Sequence, residues 1–161
     1  MKKKILLFHG CLPPYRIDLF NAFANDFDLQ AILMTKPAEL WALAFDAKAV
    51  ETQAKFPFEW HNKGFYLGNH LISTIYYKVI RHSHPDIVWC QELGINTLCA
   101  IFFKHFFKYK IMLGVDDSPA MLSCYSVLRR VLRRFVYRRV ALILVVSRMV
   151  QSILQKDSED G

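Results

Sequence analysis

The chain is 161 residues long, enough for one domain with a sizeable core, and 53% of it is hydrophobic. No charge-free apolar run reaches the ~18 residues that a spanning helix needs. The four cysteines (Cys11, Cys90, Cys99, Cys124) contain no C-x-x-C, so buried free thiols are expected rather than a disulfide framework or a zinc site. The net charge of +7 is uneven: residues 1–117 carry 13 basic and 11 acidic side chains, residues 118–156 carry eight basic and no acidic ones, and residues 157–161 carry three acidic ones.

The opening Lys2-Lys3-Lys4 and Ile5-Leu6-Leu7-Phe8 is too short for a signal peptide and is followed by Pro13-Pro14, so a cytosolic protein is expected. An apolar run between charge and Gly10 reads as a strand buried on both faces. Gly10 permits a tight turn or a close backbone approach, and Pro14 suits the first turn of a helix. Gly10 to Arg16 therefore reads as the floor of a site, with a plain strand-to-helix turn as the alternative. Neither G-x-G-x-x-G nor G-x-x-x-x-G-K-[ST] is present.

Ile17, Phe20, Phe23 and Phe27 continue at helical spacing, and Leu29–Met34 reads as a second strand. Residues 38–55 read as helix or an irregular excursion, and Pro57 makes 56–60 an edge strand. Gly64 to Asn69 reads as a turn, with Asn69 as N-cap of a helix whose face is Leu71, Ile72, Ile75, Tyr76, Val79 and Ile80. His82 and His84 before Pro85 read as a solvated turn, and no metal site is expected. A strand at 86–90, an aromatic helix over 95–108 and a strand at 110–114 follow. Ser118-Pro119 starts a long basic helix reaching about Arg139, Ala141–Val146 is a sixth buried strand, and Ser147 caps a last helix. Strands alternating with helices predict an α/β fold: a Rossmann-like, doubly wound parallel sheet of about six strands in the order 3-2-1-4-5-6, helices on both faces. One domain over 1–156 and a polar tail over 157–161 are expected.

Polar side chains collect just after the strands, at Gly10, Gln91-Glu92, Asp116-Asp117 and Ser147, positions that share one edge of such a sheet. Adjacent Asp116 and Asp117 suit a base or a hydroxyl-binding pair, or else they stabilise the following helix N-terminus. In the basic helix, Leu128, Val131, Leu132, Phe135 and Val136 form an apolar face expected to pack on the sheet. Arg129, Arg130, Arg133, Arg134 and Arg138, followed by Arg139, are then left to contact an anionic membrane surface. Nucleic acid is not expected as a partner, because no helix-turn-helix, RNP or finger motif accompanies the charge.

Three phrases carry a family resemblance. Pro13-Pro14-Tyr15-Arg16-Ile17-Asp18-Leu19-Phe20-Asn21, Pro85-Asp86-Ile87-Val88-Trp89-Cys90-Gln91-Glu92 and Leu144-Val145-Val146-Ser147 stand in the order and spacing of family-4-like glycosyltransferases with the GT-B fold. The resemblance implies an N-terminal, acceptor-side Rossmann-like domain of a hexosyltransferase type of enzyme. Such an enzyme moves a sugar from a nucleotide-sugar co-substrate, with no other cofactor, to a lipid-linked or saccharide acceptor at the inner membrane face. It places Gly10 near the donor phosphate; Arg16, Gln91, Glu92, Asp117 and Ser147, from the floor and the carboxyl edge read above, are expected to bind substrate. Asp116 takes the catalytic position, where the family carries a histidine in T-x-H-D and this chain reads Gly114-Val115-Asp116-Asp117. The resemblance also implies a second, donor-binding half, as a separate C-terminal partner or a missing part. This chain alone is then expected to be inactive. A non-catalytic membrane-surface or partner-binding module is the alternative.

Overall fold

The computed structural model describes residues 2–34, 47–61, 64–67, 70–72, 75–91, 93–124 and 126–159. In chain order the strands are β1 (Lys4–His9), β2 (Asp28–Leu33), β3 (Phe58–Trp60), β4 (Phe65–Leu67), β5 (His70–Ile72), β6 (Ile87–Gln91), β7 (Lys110–Val115) and β8 (Leu142–Val145). The helices are α1 (Pro14–Asp26), α2 (Ala47–Gln53), α3 (Ile75–Ser83), α4 (Ile95–Phe103), α5 (Pro119–Ser123), α6 (Val127–Tyr137) and α7 (Arg148–Glu159). Six strands form one sheet in the order β3-β2-β1-β6-β7-β8, and every neighbouring pair is parallel. That is the expected 3-2-1-4-5-6 order, counted over the strands of the sheet.

Alternation along the central strands divides the core in two. Leu6, Phe8, Val88, Cys90, Ile111 and Leu113 face one side, where Tyr76, Ile80, Ala100, Ile101, Val136 and Val150 cover them. Ile5, Leu7, Trp89 and Met112 face the other side, under Ile17 and Phe20 of α1. Trp89 meets the rings of Phe20 and Phe23 at centroid distances of 5.4 and 4.8 Å. At the amino end of the sheet Asp86 accepts the Lys4 amide at 2.8 Å and donates its own amide to the Lys4 carbonyl at 3.0 Å, which sets β6 against β1. The aspartate of the Pro85-Asp86-Ile87-Val88 phrase thus has a structural duty far from the carboxyl edge.

Several expectations are corrected. Leu71 and Ile72 belong to a small antiparallel hairpin, β4–β5, and the helix begins only at Ile75. Two apolar residues three or four positions before Ile75 and Tyr76 satisfy helical spacing by coincidence. Asn69, Glu92 and residues 38–46 lie outside the described residues. His82 is the penultimate residue of α3, and His84 turns the chain at a φ of 45°, the left-handed conformation common just beyond helix ends. The aromatic helix stops at Phe103, where the Lys104 amide is shared between the Ala100 and Phe102 carbonyls. The basic helix is two helices, because the Ser126 hydroxyl accepts the Arg129 amide at 3.3 Å and begins a new N-terminus. β8 is an edge strand, half-buried rather than buried, since β7 is its one neighbour among the described residues. Cys124 is exposed, unlike the buried Cys11 and Cys90.

The largest correction concerns α6. Leu128, Val131 and Phe135, expected to pack on the sheet, are exposed, whereas Arg133, expected at a membrane surface, is buried. Val136 does enter the core, and Leu132 packs partly against it. The helix is therefore turned with much of its apolar side outward.

Candidate functional site

The chain runs outward from β1 through β2 to β3, then returns to place β6 on the other side of β1. The switch point of this sheet therefore lies between β1 and β6, and ligands of open α/β sheets bind outside the carboxyl ends of the strands at such a point. Phe8 pairs with Cys90, so His9 and Gln91 are the next residues on either side of that crevice. Gln91 pairs in turn with Gly114 of β7. By alternation all three point to the α1 side of the sheet.

These three residues form a polar floor. A Cβ at Gly114 would lie 2.5 Å from the Gln91 Oε1 and 2.7 Å from its Nε2, so the absent side chain is what lets the Gln91 amide lie across β7. Both polar atoms of that amide are buried without a hydrogen-bond partner among the described residues. His9 Nδ1 accepts the Cys11 amide at 3.3 Å, which puts the ring proton of the neutral imidazole on Nε2. That Nε2 is likewise buried and unpartnered among the described residues. Burial, reinforced by the Arg16 guanidinium, lowers the His9 pKa to about 4, so near neutral pH the ring is an uncharged donor. Buried polar groups without partners are expensive, and a ligand that supplies the partners recovers that cost.

Gly10 stands at the rim. A Cβ there would meet nothing within 4 Å among the described residues, so none of them requires the glycine or fills the space above the turn. Arg16, in the first turns of α1, is buried and forms an ion pair with Asp116 from the loop after β7. The pair ties α1 to that loop and joins the guanidinium and the carboxylate proposed for separate duties. Tyr15 beside it is exposed, with the Arg16 guanidinium 6.0 Å from its ring centroid.

The remaining expected site residues divide. Asp117 is buried, and the cap of α5 is Ser118, whose hydroxyl accepts the Met121 amide at 3.3 Å. Ser147 follows β8 at the same sheet edge, and its hydroxyl accepts the Val150 amide at 3.2 Å as the cap of α7. Glu92 is outside the described residues. Sequence reading missed His9, whose signal is a polar residue closing an apolar strand one position before the glycine. Cys90, wholly inside the core, has its thiol pushed up to about 12 by burial and offers no nucleophile.

No family model matches the chain, and no curated protein does. Solved structures do resemble it. One is Anabaena HepE (Alr3699), crystallised in complex with UDP and glucose: the TM-score is 0.66 at 16% identity, over 98% of this chain. The chain spans 42% of that protein's length. A likeness at this identity is one of fold, and it supports the Rossmann-like assignment.

Proposed function

We propose that the chain is a Rossmann-like domain of a sugar-transferring enzyme that uses a nucleotide-sugar. The observation that carries the reading is the open, polar switch-point crevice in a fold resembling that of a protein solved with UDP and glucose. In this reading Gly10 leaves room for a phosphate or sugar to approach the β1 backbone, and His9 Nε2–H and the Gln91 amide hydrogen-bond the polar groups that enter. Asp116 accepts an acceptor hydroxyl while Arg16 holds its carboxylate in place. The acceptor is a saccharide or a lipid-linked sugar, and the main donor contacts come from a second half of the enzyme.

The test is sugar transfer by this chain alone and together with a candidate second Rossmann-like half. Transfer is expected only with both present, and Gly10→Val is expected to abolish it without unfolding the chain, because the added side chain meets none of the described residues. Full transfer by the Gly10→Val protein would end the reading. The Arg16–Asp116 pair favours a second reading, a non-catalytic binding module, since a carboxylate committed to a guanidinium is a weak proton acceptor. Transfer that survives unchanged in Asp116→Asn would remove Asp116 from the chemistry.

A further inference from the structure

A helix that serves only its own core turns its apolar side inward. α6 does the reverse over most of its length. Val127, Leu128, Val131 and Phe135 fall on one helical face and are exposed, Leu128 by 79% and Val131 by 58%. Arg130, Arg134 and Arg138, spaced four apart, run along one flank of that ridge and are exposed as well. Single exposed apolar side chains are ordinary, but a contiguous ridge edged by one sign of charge marks an interaction surface.

The ridge continues onto a neighbouring element. Lys104 Nζ donates to the Arg139 carbonyl at 3.1 Å, fastening the turn after α4 to the end of α6. Next to Lys104, Phe102 and Phe106 stand exposed with ring centroids 5.5 Å apart. Arg139 lies over the Phe135 ring, 3.6 Å from its centroid, and donates to the Phe135 carbonyl at 3.0 Å. Cationic and apolar groups thus alternate across one continuous surface.

We propose that this surface docks on an anionic lipid bilayer: the α6 ridge and the Phe102–Phe106 turn enter the boundary of the acyl chains, and Arg130, Arg134 and Arg138 meet the lipid phosphates. Charge selects the occupant. α6 contains no acidic side chain, so two copies pairing ridge to ridge would set one arginine stripe against another. A bilayer supplies an apolar medium and a plane of negative charge in the right relation to each other. The inference is independent of the sugar-transfer reading. α6 covers the sheet face opposite α1, while His9 and Gln91 lie on the α1 side, so docking leaves the crevice open.

Co-sedimentation of the full chain with phosphatidylglycerol-containing and pure phosphatidylcholine vesicles tests it. Binding to the anionic vesicles alone is expected, and Arg130→Gln with Arg134→Gln is expected to weaken it about 25-fold, at roughly fivefold per arginine. Val131→Gln with Phe135→Gln is expected to weaken it at least about tenfold while leaving the thermal midpoint in place, because both positions are exposed. Phe135→Trp reads insertion directly: brominated lipids are expected to quench its emission more than that of the parent protein. Equal binding to neutral vesicles, or unchanged binding by the ridge variant, would overturn the proposal. So would indifference to both vesicle types combined with capture of a second protein through the ridge.

Discussion

α1 and α6 are helices of similar length on opposite faces of one sheet, and they solve opposite problems. α1 buries Ile17 and Phe20 against the strands and carries its one buried guanidinium, Arg16, to a carboxylate waiting on β7's loop. α6 buries Arg133 and Val136 and leaves its longest apolar ridge in solvent. Amphipathic spacing is present in both sequences, but it states only which side chains share a face. Whether that face meets this core is a tertiary outcome: that of α1 does, and much of that of α6 stays exposed.

The sharpest way to break the contrast is to truncate one apolar residue in each helix. Phe20→Ala is expected to cost about 3–5 kcal/mol in urea unfolding, as for other fully buried aromatics. Leu128→Ala is expected to stay within about 0.5 kcal/mol, as an exposed position should. Similar losses at both sites would mean that α6 is packed as tightly as α1.

The polar groups beneath α1 should also make stability depend on pH. His9 titrates near 6.5 when unfolded and at about 4 in the fold, so between these values the unfolded chain binds the extra proton. Its contribution is therefore complete above pH 6.5, falls as pH drops toward 4 and then levels, a total of about 3 kcal/mol. His9→Gln is expected to remove that slope, seen as the difference between the two proteins' unfolding free energies from pH 7 to pH 4. A slope that persists in the variant would assign it to other groups.

Breaking charges comes next in size. Asp116→Ala leaves a buried guanidinium without its carboxylate and is expected to cost about 2–3 kcal/mol, at the lower end for a buried pair because Asp116 is partly exposed. Arg134→Gln on α6 is expected to change stability by less than about 0.5 kcal/mol. Comparable denaturation midpoints for the two variants would contradict the ion pair's place in the fold.

The smallest effects come from the two glycines of the crevice, and they sharpen the site itself. Gly10→Ala should be neutral or stabilising by up to about 1 kcal/mol, since it adds no contact and restricts the unfolded chain. Gly114→Ala must push the Gln91 amide aside, at little cost in stability because a flexible side-chain end is what moves. On the proposed reading, calorimetric titration with UDP in the presence of the second half is expected to show weaker binding by both variants than by the parent. Undiminished binding by Gly114→Ala would take Gln91 out of the site.

The sheet was legible in the sequence because runs such as Ile5–Phe8 and Ile111–Leu113 are apolar on both faces and end at glycine or charge. The order of its strands followed from alternation with helices. The hairpin was not legible, because Leu71 and Ile72 stand in helical phase with Ile75 and Tyr76. The break before α6 rests on one serine hydroxyl, a local choice that the surrounding pattern does not announce. At the site, Gly10, Gln91 and Asp116 were readable as residues following strands, whereas the Arg16–Asp116 pairing joins positions 100 apart and no spacing encodes it.

The sheet order also has a consequence in time. β1 and β2 can pair as soon as both are synthesised, but β1's other partner, β6, lies about 60 residues further on, roughly 3–12 s at ribosomal speed. During those seconds a strand destined for the centre of the sheet offers a bare hydrogen-bonding edge to any neighbouring nascent chain. Lys2, Lys3 and Lys4 stand at the head of that strand, and like charges placed there repel a second copy approaching in register. The three lysines are thus placed as gatekeepers for a central strand of the sheet until Asp86 arrives to take the Lys4 amide.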